Sequence, residues 1–207
     1  MPTEEILGAD AIARHVARLG AEIERDHPDG VVLVGVLKGA LLFLADLARA
    51  VTRVAVEVDF ISISRFAPDS GRVKILHDLQ VDLTGRDVVV VEDIVDTGLT
   101  LAYLTGQLES RGARSVAACA LLDRRARRIV PQVVRYRGIE LADEYVLGYG
   151  LHHRDLYRNL PFVVRADRSA LDATPDVYVA RLYGAGRGGI GPPEAGGRVP
   201  EAERRLP

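Results

Sequence analysis

Three continuous apolar runs constrain the fold of this chain more than any other feature: residues 31–36 (Val-Val-Leu-Val-Gly-Val), 88–91 (four valines) and 116–122. A strand with one wet face alternates polar and apolar residues, whereas one that is apolar throughout must be covered on both faces. Helical spacing separates the runs. Over residues 10–27, Ile12, Val16, Leu19 and Ile23 share one face, with Asp10 as the expected N-cap. Residues 40–50 direct Leu41, Leu42, Leu44, Ala45 and Leu47 toward a core, and a third helix runs from Gly98 to about Arg111. This rhythm predicts an α/β fold, a mostly parallel twisted sheet flanked by helices.

The remaining segments complete the outline. Residues 54–64 alternate, with Val54, Val56, Val58 and Phe60 set against Ala55, Glu57 and Asp59, and predict a long strand. A loop follows at 65–72, a short strand at 73–77 and a turn at Thr84-Gly85. Beyond Asp123 the pattern becomes short strands, Val133-Val134, Tyr145-Val146-Leu147 and Phe162-Val163-Val164, with a polar loop between the last two. They predict a small hood on one end of the sheet. The expected organisation is one domain over 1–183, its core at about 10–122 and its hood mainly at 123–166. Residues 184–207 are glycine, proline and charge with little to bury, and read as a disordered tail. Residues 167–183 carry no clear pattern.

Composition removes several classes of function. With 207 residues and a net charge of −2, the chain has room for one core and no global field to draw it to nucleic acid or membrane. Its single cysteine, Cys119, excludes an intrachain disulfide and a thiolate metal cage. The acidic start, Met1-Pro2-Thr3-Glu4-Glu5, lacks the apolar centre of a signal peptide, and no apolar run is long enough for a bilayer. A cytoplasmic protein is expected. Lysine occurs only at Lys38 and Lys74 in an arginine-rich chain, which draws attention to both.

The chemistry concentrates in residues 88–100, Val-Val-Val-Val-Glu-Asp-Ile-Val-Asp-Thr-Gly-Leu-Thr. A buried strand ends in two acids, and a short loop then opens a helix. Such a loop offers backbone N–H groups and the positive end of the helix dipole, which suits a phosphate. Gly98 permits close approach, and the Thr97 and Thr100 hydroxyls add donors. Glu92 and Asp93 can accept hydrogen bonds from the two hydroxyls of an attached ribose. A plainer reading makes the acids a solvated strand end and Asp96 a helix cap, but the combination favours a site.

This stretch closely resembles the phosphoribosyl-pyrophosphate motif of the type I phosphoribosyltransferases. The segments Leu33-Val34-Gly35-Val36-Leu37-Lys38-Gly39-Ala40, Val58-Asp59-Phe60, Val73-Lys74-Ile75-Leu76 and Tyr157-Arg158-Asn159-Leu160-Pro161 are similar to those of the hypoxanthine-guanine members, in order from about residue 5 to 166. The resemblance implies transfer of ribose 5-phosphate from phosphoribosyl pyrophosphate to a 6-oxopurine in purine salvage, with release of pyrophosphate. It implies Mg2+ as cofactor, held at Glu92 and Asp93 through ribose hydroxyls or water, and a homodimer or homotetramer with helix 40–50 as a candidate interface. It assigns the 5′-phosphate to Asp96, Thr97, Gly98, Leu99 and Thr100, and the ribose hydroxyls to Glu92 and Asp93. Asp96 also becomes the general base near N7 of the purine. Lys38 and Gly39 fall in the pyrophosphate loop, whose Leu37-Lys38 peptide can be cis, and Arg158 matches a second pyrophosphate contact. Tyr145 matches the aromatic over the base, and Val146 the residue whose backbone meets the purine edge.

Four positions depart from the family pattern. Arg124 replaces the usual lysine that reads the purine 6-oxo group. His152 replaces an aspartate that orients magnesium-bound water, which leaves a second metal in doubt. Arg65-Phe66 replaces the usual Ser-Tyr pair of a mobile lid, and Ala40 replaces a glycine or serine. The donor half is thus retained and the acceptor half altered. Two other readings remain open: the same chemistry on xanthine or a non-standard base, and a non-catalytic nucleotide-sensing regulator that binds RNA or protein. The second would use the arginine-dense segment Arg124, Arg125, Arg127, Arg128, Arg135 and Arg137 as a basic patch.

Overall fold

The computed structural model describes residues 4–64 and 73–184. The expected lid pair Arg65-Phe66 and the 184–207 tail, apart from Gly184, lie outside the described residues. Strand β1 (Glu4–Leu7) leads into helix α1 (Ala9–Asp26), followed by β2 (Val31–Val36), α2 (Leu41–Ala50), β3 (Val56–Ile63), β4 (Ile75–His77), β5 (Asp87–Val95), α3 (Leu99–Ser110) and β6 (Ser115–Asp123). Beyond these come β7 (Tyr136–Glu140), β8 (Val146–Leu147), β9 (Val163–Arg165), α4 (Arg168–Ala173) and α5 (Val179–Gly184).

Six strands form the main sheet in the order β4-β3-β2-β5-β6-β7. All neighbours are parallel except β4, which pairs antiparallel with β3. The valine runs behave as their composition requires. Leu33, Val89 and Val91 pack on the face covered by α1 and α2, while Val32, Val34, Val88 and Val90 pack on the other face with Leu101, Leu104 and Leu108 of α3. Every residue of β2 is buried.

Several local expectations need correction. Asp10 does not cap α1; Gly8 occupies that position and Asp10 sits in the first turn. In α2 the core face is Phe43, Leu44 and Leu47, while Leu41 and Ala45 are exposed, because the helix meets the sheet about 100° around from the assumed stripe. Val133-Val134 is not a strand. Val133 is exposed and the sixth strand of the sheet is β7, so part of the segment assigned to the hood extends the main sheet. The hood sheet is β1-β9-β8, antiparallel throughout, and takes its first strand from the N-terminus. Helices α4 and α5 cover it, with Tyr157, Leu160, Leu171 and Tyr178 in a separate small core.

Strand β3 holds the sharpest surprise. Val58 is exposed and Asp59 is buried, the reverse of the alternation read from the sequence. The Asp59 carboxylate accepts N–H bonds from Phe60 (2.7 Å), Gln80 (2.7 Å) and Val81 (3.0 Å), anchoring the chain that leads into β5. Burial alone would raise its pKa, but these donors outweigh it and hold the carboxyl below its ordinary value. A carboxyl with a depressed folded-state pKa stabilises the fold above the unfolded value and loses that contribution as pH falls through the folded one. Asp59→Ala is therefore expected to lower stability by about 2 kcal/mol in urea titration at pH 7. The gap between wild type and variant should narrow below about pH 4; a gap independent of pH would contradict the role.

Candidate active site

The site forms where the chain's direction across the sheet reverses. From β2 the chain moves outward to β3, and from β5 it moves the opposite way to β6, so the loops after β2 and β5 separate above the carboxyl ends of two adjacent strands. Such a switch point is the usual ligand crevice of an open α/β sheet. The acids lie within β5 rather than after it: the strand runs to Val95, with Glu92 opposite Ala120 of β6. They are thus held by the backbone ladder.

Past Val95 the chain turns at Asp96-Thr97-Gly98. Gly98 has φ of 84°, and a Cβ there would meet the Val130 carbonyl oxygen at 2.5 Å, so glycine is required on both counts. Gly98 occupies the N-cap position of α3, so Asp96 is not the helix cap. Thr97 accepts the Leu99 N–H through its hydroxyl (3.4 Å) and the Ile129 N–H through its carbonyl (2.8 Å). Glu92, Asp96, Thr97, Gly98 and Thr100 line a cavity of about 80 Å³ at this helix start, where the first amides lack intrahelical acceptors.

Beside it the β2 loop closes in. The Leu37-Lys38 peptide is cis. A Cβ on Gly39 would fall inside the carboxylate of Asp93, so this backbone lies directly against that acid. Burial raises the Glu92 carboxyl well above its ordinary value, and the neighbouring Asp93 charge adds to the effect. Burial also raises Asp93, opposed by N–H groups including that of Ile94 (2.9 Å) and by the Arg158 charge. Arg158 donates to the Gly150 carbonyl (2.6 Å) and to Asp155 (2.9 Å), and Lys38 Nζ lies 3.7 Å from the same Asp155 oxygen. The Arg158 bond, and secondarily Lys38, lowers the Asp155 carboxyl. Lys38, Gly39, Asp93 and Arg158, scattered over 120 residues of sequence, therefore meet; Gly150 and Asp155, which complete the group, were not singled out as site residues.

The other wall comes from residues 124–153. Arg124 is buried and donates to Asp96 Oδ2 at 3.2 Å and to the Glu144 carbonyl. Tyr145 precedes β8 rather than lying in it, and Val146 is buried. The Tyr145 hydroxyl meets His153 Nδ1 (3.2 Å) and donates to the His152 carbonyl (3.3 Å), while the Arg168 guanidinium lies 5.7 Å from the ring centre. His152 Nδ1 instead accepts the Asp155 N–H (3.0 Å), so the two histidines serve different partners. Among the described residues, no three histidine, cysteine or acidic side chains gather as a metal cage. The arginine-dense segment faces the protein's own acids: Arg125 pairs with Glu140, Arg127 with Asp143, Arg128 and Arg137 with Asp123, and Arg135 with Asp26.

Comparison with known proteins agrees with this geometry. The family model for the phosphoribosyl transferase domain matches residues 2–154. The chain belongs to the phosphoribosyltransferase family. The hypoxanthine-guanine phosphoribosyltransferase of Bacillus subtilis (strain 168) is 39% identical over 162 residues, covering 76% of this chain and 89% of that protein. The hypoxanthine phosphoribosyltransferase of Escherichia coli (strain K12) is 40% identical over 168 residues, covering 78% of this chain and 94% of its own. The crystal structure of a hypoxanthine-guanine phosphoribosyltransferase from Bacillus anthracis superposes with a TM-score of 0.74 at 38% identity, over 78% of this chain and 95% of that one. The fold is thus that of the type I phosphoribosyltransferases. No helix among the described residues is long and apolar enough to cross a membrane.

The close approach to Asp93 leaves no room for a side chain at Gly39. Gly39→Ala must push either the loop or the carboxylate aside. Affinity for phosphoribosyl pyrophosphate should fall by about tenfold or more, as an atom displaced within a charged site costs at least one good hydrogen bond, and a thermal melt separates this from any loss of fold. Isothermal titration with the donor checks this; unchanged affinity would show that the close approach is incidental.

Proposed function

We propose that this phosphoribosyltransferase acts in purine salvage, transferring ribose 5-phosphate from phosphoribosyl pyrophosphate to a 6-oxopurine, hypoxanthine or guanine, and releasing pyrophosphate. The observation that carries this reading is the meeting of three separated segments, 92–100, 38–39 and 158, around the Asp93 carboxylate at the switch point.

In this reading each segment takes one part of the donor. Asp96 to Thr100 receive the 5′-phosphate on helix-start amides and hydroxyls. Glu92 and Asp93 accept the ribose hydroxyls, and Lys38, the Gly39 backbone and Arg158 face the departing pyrophosphate. Bond breaking leaves positive charge on the ribose ring, so positioning and fixed charge supply most of the catalysis. The Asp96 carboxylate is part-exposed at the start of the loop, which suits an acceptor for the proton on the purine ring nitrogen. Tyr145 stacks on the base, and the Val146 backbone meets its edge.

The acidic pair fits magnesium, an oxygen-seeking cation that keeps much of its water. Burial raises both carboxylates and the Asp93 charge raises Glu92 further, while the Arg158 charge acts on Asp93. Glu92 and Asp93 would hold the ion through ribose hydroxyls or water, where it would neutralise charge on the leaving pyrophosphate. A homodimer or homotetramer is proposed on grounds of family likeness alone.

The test is a turnover panel with purified protein, magnesium and the donor against hypoxanthine, guanine, xanthine and adenine. Hypoxanthine or guanine should be converted, and Asp96→Asn should lower kcat by about 100-fold or more. Exclusive use of xanthine would move the acceptor assignment, and no product with any base would overturn it.

A further inference from the structure

Arg124 occupies the position where the family resemblance places a lysine against the purine 6-oxo group. Its surroundings are those of a different role, one that rests on the transfer reaction proposed above. The side chain is only 5% exposed. Nη1 donates to Asp96 Oδ2 at 3.2 Å, Nη2 donates to the Glu144 carbonyl, and Nε is buried with no acceptor among the described residues. These two acceptors belong to opposite walls of the site. Asp96 lies in the loop after β5, and Glu144 immediately precedes Tyr145 at the entry to the hood. A planar guanidinium bridges two acceptors in fixed directions from separate nitrogens, whereas an ammonium must reach both from one nitrogen with rotatable donors.

The consequence falls on Asp96. Its two carboxylate oxygens are made unequal: Oδ2 faces Arg124, with Arg127 Nη1 at 3.9 Å, while Oδ1 is buried without a donor. Its carbonyl accepts from Arg128 Nε at 3.2 Å, so the residue is held at backbone and side chain alike. With Oδ1 buried and the side chain 37% exposed, the edge of the carboxylate held by Arg124 is the one a ligand N–H can approach.

We propose that Arg124 is a positioning residue that orients Asp96 toward the acceptor base and ties that orientation to the hood, and that it does not itself read the 6-substituent. The sequence difference from lysine then has a purpose, because the fork spans both walls from two separate nitrogens.

The decisive experiment is a double-mutant cycle of Arg124→Lys with Asp96→Asn, measuring kcat and KM for hypoxanthine and guanine. If Arg124 acts through Asp96, Arg124→Lys lowers kcat by about tenfold or more with KM for either base shifted less than about threefold, and the same change in the Asp96→Asn background costs about twofold or less. A base-reading Arg124 gives the opposite pattern. Lysine then preserves kcat, shifts KM or the hypoxanthine-to-guanine preference, and its effect adds to that of Asp96→Asn, which would overturn the proposal. A thermal melt of each variant accompanies the kinetics, and Arg124→Gln, which buries no charge, gives the same cycle if the lysine variant does not fold. Wild-type protein inactive on every base would remove the transfer reaction and this role together, whereas turnover with additive losses would remove this role alone.

Discussion

The pairing of β2 with β5 is the constraint on which the rest depends. Parallel register places Val34 opposite Val90 and Gly35 opposite Val91, with all four buried. Because the strands run the same way, Leu37-Lys38-Gly39, which follow β2, and Glu92-Asp93, which follow the last β2-paired residue within β5, are delivered side by side. A slip of either strand would draw the polar residues that follow its apolar run, Lys38 after β2 and Glu92 within β5, into the covered part of the sheet. The precision of the polar site is therefore set by valine packing beneath it, and the acids inherit the rigidity of the ladder.

The electrostatics follow from that placement. Two carboxylates at the end of a buried strand are desolvated and adjacent, an unfavourable arrangement that a fold does not need for its own stability. The cations nearby answer it only in part: Arg158 reaches Asp93 electrostatically, Lys38 pairs with Asp155, and the arginines at 124–128 are turned onto Asp96, Asp123, Glu140 and Asp143. That last arrangement also bears on the regulator reading, since the segment offered as a basic patch is paired with the protein's own acids.

How much was legible in the sequence depended on how local the determinant was. The three apolar strands, α1, α3 and the loop at 96–98 could be read because each is specified by a contiguous pattern. The alternation rule failed in β3, where Asp59 is buried by three backbone donors that lie on both sides of β4 in the sequence. It failed again at Val133, an apolar residue left in solvent. Within the site, the individual residues were legible through family resemblance, but their contacts were not. The approach of Gly39 to Asp93, the sharing of Asp155 by Lys38 and Arg158, and the bridge from Arg124 to Asp96 and Glu144 each join segments more than fifteen residues apart. Helices α4 and α5 had no readable periodicity because each is six residues long, and α4 is started by Asp167, whose carboxylate caps Ser169 and Ala170.

On the proposed reading the far end of β5 and its loop hold both the phosphate and the ribose of a nucleotide. This is tested most directly by amide chemical-shift mapping as a 6-oxopurine nucleoside 5′-monophosphate is titrated into isotope-labelled protein with magnesium. The account predicts the largest saturable shifts at Thr97, Gly98, Leu99 and Thr100, with smaller ones at Asp93 and Gly39. Saturable shifts centred elsewhere, with residues 92–100 unmoved, would contradict it.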